Sequence, residues 1–150
     1  MQRYIGTKIV EAQSMDLGSY RAYLGWSVPA DGEDPECMGY LVKYPSGYES
    51  WSPAEVFNTA YSPIADDNKV QEATLIRMLK LADKQEHIFW GKELVISYKL
   101  KSGFTVSGRA ACVDPDNFDM EVGRSIAFRN ALDQLWPLEG YVLQKGLASS

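Results

Sequence analysis

The chain has 150 residues, 45% of them hydrophobic and 23% charged, an ordinary globular composition for one domain or two very small ones. Fifteen Lys and Arg stand against 20 Asp and Glu, a net charge of −5, which argues against a protein that coats polymeric nucleic acid. One His and two Cys supply few metal sites or imidazole-based catalytic arrangements. The charge is uneven: residues 1–75 hold five basic and eleven acidic groups, residues 76–150 ten and nine. An anionic ligand is better tolerated by the second half, and an acidic first half also serves solubility. There is no secretory start, and no apolar run nears the ~20 residues of a membrane helix. The sequence therefore points to a cytosolic chain with Cys37 and Cys112 reduced, and Cys112 in Ala110-Ala111-Cys112-Val113 reads as a small buried hydrophobe.

In chain order, Thr7 to Ala12 reads as a strand, and Asp16 caps a short helix from Leu17 to about Leu24. Pro29-Ala30-Asp31-Gly32-Glu33-Asp34-Pro35-Glu36 is an exposed loop. Gly39 to Tyr44 and Tyr48 to Trp51 are strands joined by the Pro45-Ser46-Gly47 turn. Ser52-Pro53-Ala54-Glu55 carries the signals of a helix start, with Ser52 as cap and Glu55 closing a capping box. That helix runs to about Tyr61 and buries Val56 and Phe57. Residues 1–61 thus read as a β-α-β-β-α module.

Ser62 to Asn68 is a linker. A helix is expected from Asp67 to about Glu86, with Val70, Leu75, Met78, Leu79 and Ala82 at helical spacing. Lys92–Lys101 and Phe104–Cys112 form a hairpin around Lys101-Ser102-Gly103, with Leu94, Ile96, Tyr98 and Leu100 alternating. Asp114-Pro115-Asp116-Asn117 is a turn rich in caps. A second helix runs from about Phe118 to Leu135 and stops at Trp136-Pro137, and Gly140 to Leu143 closes the chain as a short strand. Residues 62–150 then form a helix-hairpin-helix core, and the fold class is α+β, small antiparallel hairpins packed with helices.

His87, the single imidazole, falls at a helix end, where it serves better as a dipole-compensating cap than as a catalyst. Asp114, Asp116 and Asp119 fit helix capping better than acid-base work, and lack the glycine and distal glutamate of a calcium loop. Gly103 and Gly108 lie in the hairpin, so there is no phosphate loop of the strand-glycine-helix type. Arginine remains. Arg109 lies on the second hairpin strand, and Arg124 on the following helix with Phe128 one turn later on the same face. An arginine grips phosphate in two bonds and a phenylalanine stacks on a base. The same pair is equally a solvated arginine beside a core phenylalanine, and Arg129 has a local partner in Asp133.

Residues 98–143 carry a long motif: Gly103-Phe104-Thr105-Val106-Ser107-Gly108, then Ala110-Ala111-Cys112-Val113-Asp114-Pro115-Asp116-Asn117-Phe118-Asp119. Gly123-Arg124 and Leu135-Trp136-Pro137-Leu138-Glu139-Gly140-Tyr141 complete it. This run resembles a small tailed-phage protein family that includes the first-described Thoeris anti-defence proteins. Those are sponges: they bind glycocyclic ADP-ribose isomers made by bacterial TIR-domain enzymes and hold them uncleaved. Members also sequester cyclic trinucleotides of the cGAS-like (CBASS) pathway at separate sites of a hexamer. The resemblance implies a non-enzymatic homo-oligomer, with a hexamer expected, that needs no cofactor, no metal and no membrane and works in the cytoplasm of the infected bacterium. It implies a ligand site drawn from Phe104, Ser107, Arg109, Asn117, Arg124 and Phe128. Arg124 stands at the family's Gly-Arg helix start; Phe128 replaces an arginine common in shorter members. Tyr4-Ile5-Gly6-Thr7-Lys8, Gly39-Tyr40-Leu41-Val42 and Trp51-Ser52-Pro53 resemble a second small phage module that carries no assigned role. The rival expectation is a phage protein that inhibits a host protein through its acidic first half, using Tyr40, Tyr44, Tyr48 and Trp51.

Overall fold

A computed structural model describes residues 1–26, 31–65 and 68–149. Pro29 and Ala30 of the expected acidic loop, and Asp67 at the expected helix start, lie outside the described residues. The chain divides into two units, Met1–Ile64 with Lys145–Ser150, and Ala65–Gln144.

The first unit follows the β-α-β-β-α order read from the sequence. Its strands β1 (Glu11–Ser14), β2 (Gly39–Lys43) and β3 (Glu49–Pro53) form an antiparallel sheet in that order. Between β1 and β2 lies α1 (Leu17–Tyr23), which Asp16 caps by accepting from the Ser19 amide at 2.7 Å. After β3 comes α2 (Ala54–Ala60). The first strand starts at Glu11 instead of Thr7, where its pairing with Lys43 begins. Ser52 does not cap α2: it pairs with Tyr40 inside β3, and Pro53 takes the cap position with no side-chain bond. With Pro53 at the cap position, Ser52 stands one residue outside the helix start, and its hydroxyl reaches the Pro53 carbonyl at 3.4 Å instead. Val56 is exposed, while Phe57 stacks between Tyr40 and Tyr61 at centroid distances of 4.3 and 4.8 Å. Trp51 lies over Gly39, where a Cβ would collide with the indole, and its Nε1 donates to the Met15 carbonyl at 2.8 Å.

In the second unit, helix α3 (Glu72–Lys80) leads into strands β4 (Asp83–Phe89), β5 (Glu93–Lys99) and β6 (Thr105–Ala111), a second antiparallel sheet in sequence order. A single 3-10 turn (Pro115–Asn117) precedes α4 (Met120–Ala148), whose last turn is counted with the first unit. The alternation of β5 holds: Leu94, Ile96 and Tyr98 are buried, opposite Ala110, Gly108 and Val106 of β6. Leu75 and Leu79 of α3 and Ala127, Ala131, Leu132 and Leu135 of α4 complete this core, so both helices pack on one sheet face. The other face carries Ser97, Lys99, Thr105, Ser107 and Arg109, all exposed.

Three expectations for this half are corrected. The helix expected to reach Glu86 ends at Lys80, and Asp83–Phe89 pairs along its whole length with β5. Lys84, Gln85 and Glu86 have little strand preference of their own; the ladder overrides it. The chain reverses through Trp90, Gly91 and Lys92, with Trp90 and Gly91 both left-handed at φ 51° and 65°, as the tight turns of hairpins favour. The last helix does not stop at Trp136: it runs 29 residues through Pro137, and no strand forms at 140–143. Proline removes the amide that would reach the Asp133 carbonyl, yet both residues are exposed, so water can take the freed carbonyl. The core is therefore helix, three-stranded sheet, helix.

Candidate functional site

Arg124 and Phe128 sit one turn apart on α4, and both face the sheet. The Arg124 guanidinium forks onto Glu86 of β4, Nε to Oε1 at 2.8 Å and a terminal nitrogen to Oε2 at 3.0 Å. These bonds hold the Glu86 carboxyl below the usual carboxylate range, and Glu86 in turn raises the Arg124 guanidinium. A phosphate at this arginine would compete with an existing two-bond partner. Phe128 is half-buried against the core and meets Tyr98 edge-on, centroids 6.1 Å apart at 80°. Arg129 pairs with Glu72 of α3 at 2.8 Å instead of with Asp133.

Ser107 and Arg109 project together from the open face of β6. Arg109 Nε donates to Glu93 on β5 at 2.7 Å, and the guanidinium stays largely exposed. Their backbones are held from α4: Asn130 Nδ2 donates to the Arg109 carbonyl at 2.7 Å, and Gln134 Nε2 to the Ser107 carbonyl at 2.5 Å. The Ser107 amide reaches back to Gln134 Oε1 at 3.4 Å. Two amide side chains one turn apart thus close the outer edge of β6. The helix can come this near because residue 108 is glycine, and a Cβ there would run into the Ala127 backbone.

Phe104 and Asn117 lie beyond opposite ends of β6. Phe104 is exposed after the Ser102-Gly103 turn, where Gly103 is left-handed at φ 88°. Asn117 is exposed in the 3-10 turn, its amide bonded to the Asp114 carbonyl at 3.0 Å. The fold therefore brings Ser107 and Arg109 together, and Arg124 and Phe128 together, but separates Phe104 from Asn117.

His87 is a strand residue and not a helix cap. It lies on the open side of β4 with its ring 4.3 Å from that of Phe89, and the register places it in one row with Val95 and Arg109. Sequence reading put no weight on this aromatic pair, because Lys84 to Glu86 continue the helical pattern of α3. Glu86 was missed as the partner of Arg124, as were Asn130 and Gln134; their contacts span 21 to 38 residues and leave no local pattern.

Asp114 and Asp119 act as caps, accepting from the amides of Asp116 at 3.0 Å and Val122 at 3.1 Å. Among the described residues, no group of three or more His, Cys, Asp or Glu is placed to hold a metal ion. Cys37 and Cys112 are free thiols, and Cys112 is half-buried, its Sγ 3.1 Å from the Asp114 carbonyl. Two shallow clefts of about 340 and 300 Å³ lie against β1 and β2 in the first unit, and none of the expected site residues lines them. No described helix is long and apolar enough to cross a membrane.

No curated protein and no solved structure matches the chain. A family model matches residues 56–147, from α2 to the last turn of α4, with the motif-bearing sheet and helix inside the match. Over more than half of its length the sequence meets that model, and the chain belongs to the phage protein (N4 Gp49/phage Sf6 gene 66) family.

Proposed function

We propose that this phage protein is an anti-defence sponge. It binds a small cyclic nucleotide, glycocyclic ADP-ribose first and cyclic trinucleotides second, and holds it without cleavage in the cytoplasm of the infected host. The observation that carries the reading is the placement of the motif. It builds β6, the following turn and the start of α4, and directs Ser107 and Arg109 onto a sheet face free of helices. His87 shares a cross-strand row with Arg109, and the Phe89 ring lies against it. A guanidinium on the same sheet face as two exposed rings offers what an anionic nucleotide needs, a charge for phosphate and a stacking surface for the base. Arg109 carries the larger share, because Glu93 takes its Nε alone while Glu86 holds Arg124 through two nitrogens.

Binding needs no acid, base or nucleophile, and a sponge competing for a scarce signal needs a nanomolar dissociation constant, about −12 kcal/mol. Titration calorimetry tests this: glycocyclic ADP-ribose should bind tightly to the parent chain and measurably more weakly to Arg109→Ala. No heat at micromolar concentration removes the reading. The rival, inhibition of a host protein by the acidic first half, has less free surface than the sequence offered. Tyr40 is stacked on Phe57, Trp51 is bonded to Met15 and Tyr44 is stacked on Tyr48, which leaves Tyr48, 66% exposed, as the most open ring of the four.

A further inference from the structure

The second sheet treats its two edges differently. Asn130 and Gln134 of α4 cover β6. On β4, one side pairs with β5 through seven residues, and among the described residues no hydrogen bond reaches the other side. That edge strand is also apolar at its C-terminal end, with Ile88 44% and Phe89 38% exposed. Unpaired edges of this kind invite another strand, and proteins that stay monomeric shield them.

We propose that β4 pairs with β4 of a second copy of this chain, antiparallel about a two-fold axis through Gln85, joining the two sheets into one of six strands. The argument is the self-complementarity of the edge. Pairing about Gln85 sets Gln85 against itself, Lys84 against Glu86 and Asp83 against His87, all within β4, and the ladder stops there because Leu81 is the helical C-cap of α3. Lys84 then meets Glu86 with opposite charge and Asp83 meets an imidazole that can donate to it, and such cross-strand pairs are the unit of sheet stabilisation. Neighbouring two-fold registers lose this match. About Glu86, Lys84 faces Ile88 and Asp83 faces Phe89; about Lys84, Asp83 faces Gln85 and Glu86 and His87 run past the start of the partner strand. An axis perpendicular to the sheet also keeps each copy's helices on one face and its Ser107–Arg109 face on the other. The pairing does not rest on the nucleotide reading and stands whether or not a ligand binds.

The test uses the full chain with Cys37 and Cys112 replaced by serine. Residue 85 faces itself across the axis, at a Cα separation of about 4.5–5.5 Å, inside the span a disulfide bridges. Gln85→Cys should therefore give a disulfide-linked dimer on mild oxidation. Lys84→Cys alone should cross-link poorly, because its own copy lies on a diagonal about 7–8 Å away, while Lys84→Cys mixed with Glu86→Cys should link efficiently. Light scattering of the parent chain should give twice the 16.8 kDa monomer mass or a higher even multiple. A monomer at tens of micromolar, an oligomer in which Gln85→Cys does not link, or Lys84→Cys linking as well as Gln85→Cys each overturns the proposal.

Discussion

Replacing Gly108 by alanine is the sharpest test of how the sheet and α4 fit. Gly108 does not occupy the left-handed region, so its backbone would accept alanine and the effect isolates packing. The added methyl would overlap the Ala127 carbonyl oxygen and lie 2.5 Å from its carbonyl carbon and 3.0 Å from its Cα. Neither group is the flexible end of a side chain, so helix and strand must separate. That loosens Ala127, Ala131, Leu132 and Leu135, all 1% exposed or less. Overpacking a core costs about 1–3 kcal/mol where side chains can adjust, and a backbone collision belongs at the top of that range. For a unit of this size, each kcal/mol lowers the melting temperature by about 4–8 °C, so Gly108→Ala should lose about 12–24 °C. Calorimetric melting, followed in parallel by near-ultraviolet circular dichroism of Tyr98 and the tryptophans, reads this out. A midpoint within about 2 °C of the parent would refute the packing argument.

Gly140→Ala is the counterpart: nothing lies within 4 Å of a Cβ there, and alanine in a helix interior should stabilise by up to about 1 kcal/mol, seen as a raised midpoint. Gln134→Ala removes a bond worth about 1 kcal/mol from the β6 edge, so the Ser107 amide should exchange hydrogen roughly fivefold faster; unchanged exchange would mean the edge is held otherwise. Glu86→Gln tests the ion pair through acid unfolding. Arg124 lowers the folded carboxyl below its ordinary range, so the pair stabilises fully above the unfolded value near ~4.3 and loses its effect as pH falls through the lower folded value. The variant should start less stable near neutrality and show a flatter decline in that acidic window, and an unaltered curve would contradict the assignment.

The sequence and the structure agree where signals are local. Asp16 caps α1 as its position predicts, and Leu94, Ile96 and Tyr98 point inward as their alternation predicts. They part where tertiary pairing decides. Lys84-Gln85-Glu86 continues a helical pattern, and the ladder with β5 makes it a strand. Pro137 reads as a stop, and its exposed place on α4 makes it tolerable. At the candidate site, the local spacing of Arg124 and Phe128 was legible, but their partners were not. Glu86 and Tyr98 lie 38 and 30 residues earlier, and they tie the pair to ion pairing and core packing. Arg109 lies on the second hairpin strand as expected, and chain topology places the His87–Phe89 pair on the face that it shares with Ser107.

Capture without chemistry is tested by one separation. The protein is mixed with a slight molar deficit of glycocyclic ADP-ribose and passed through a filter that retains the chain. It is then denatured, and the released small molecules are resolved by chromatography with mass detection. The account predicts that the ligand stays with the protein and returns with its original mass and retention time. Ligand that passes freely through the filter, or returns as a hydrolysed product, contradicts it.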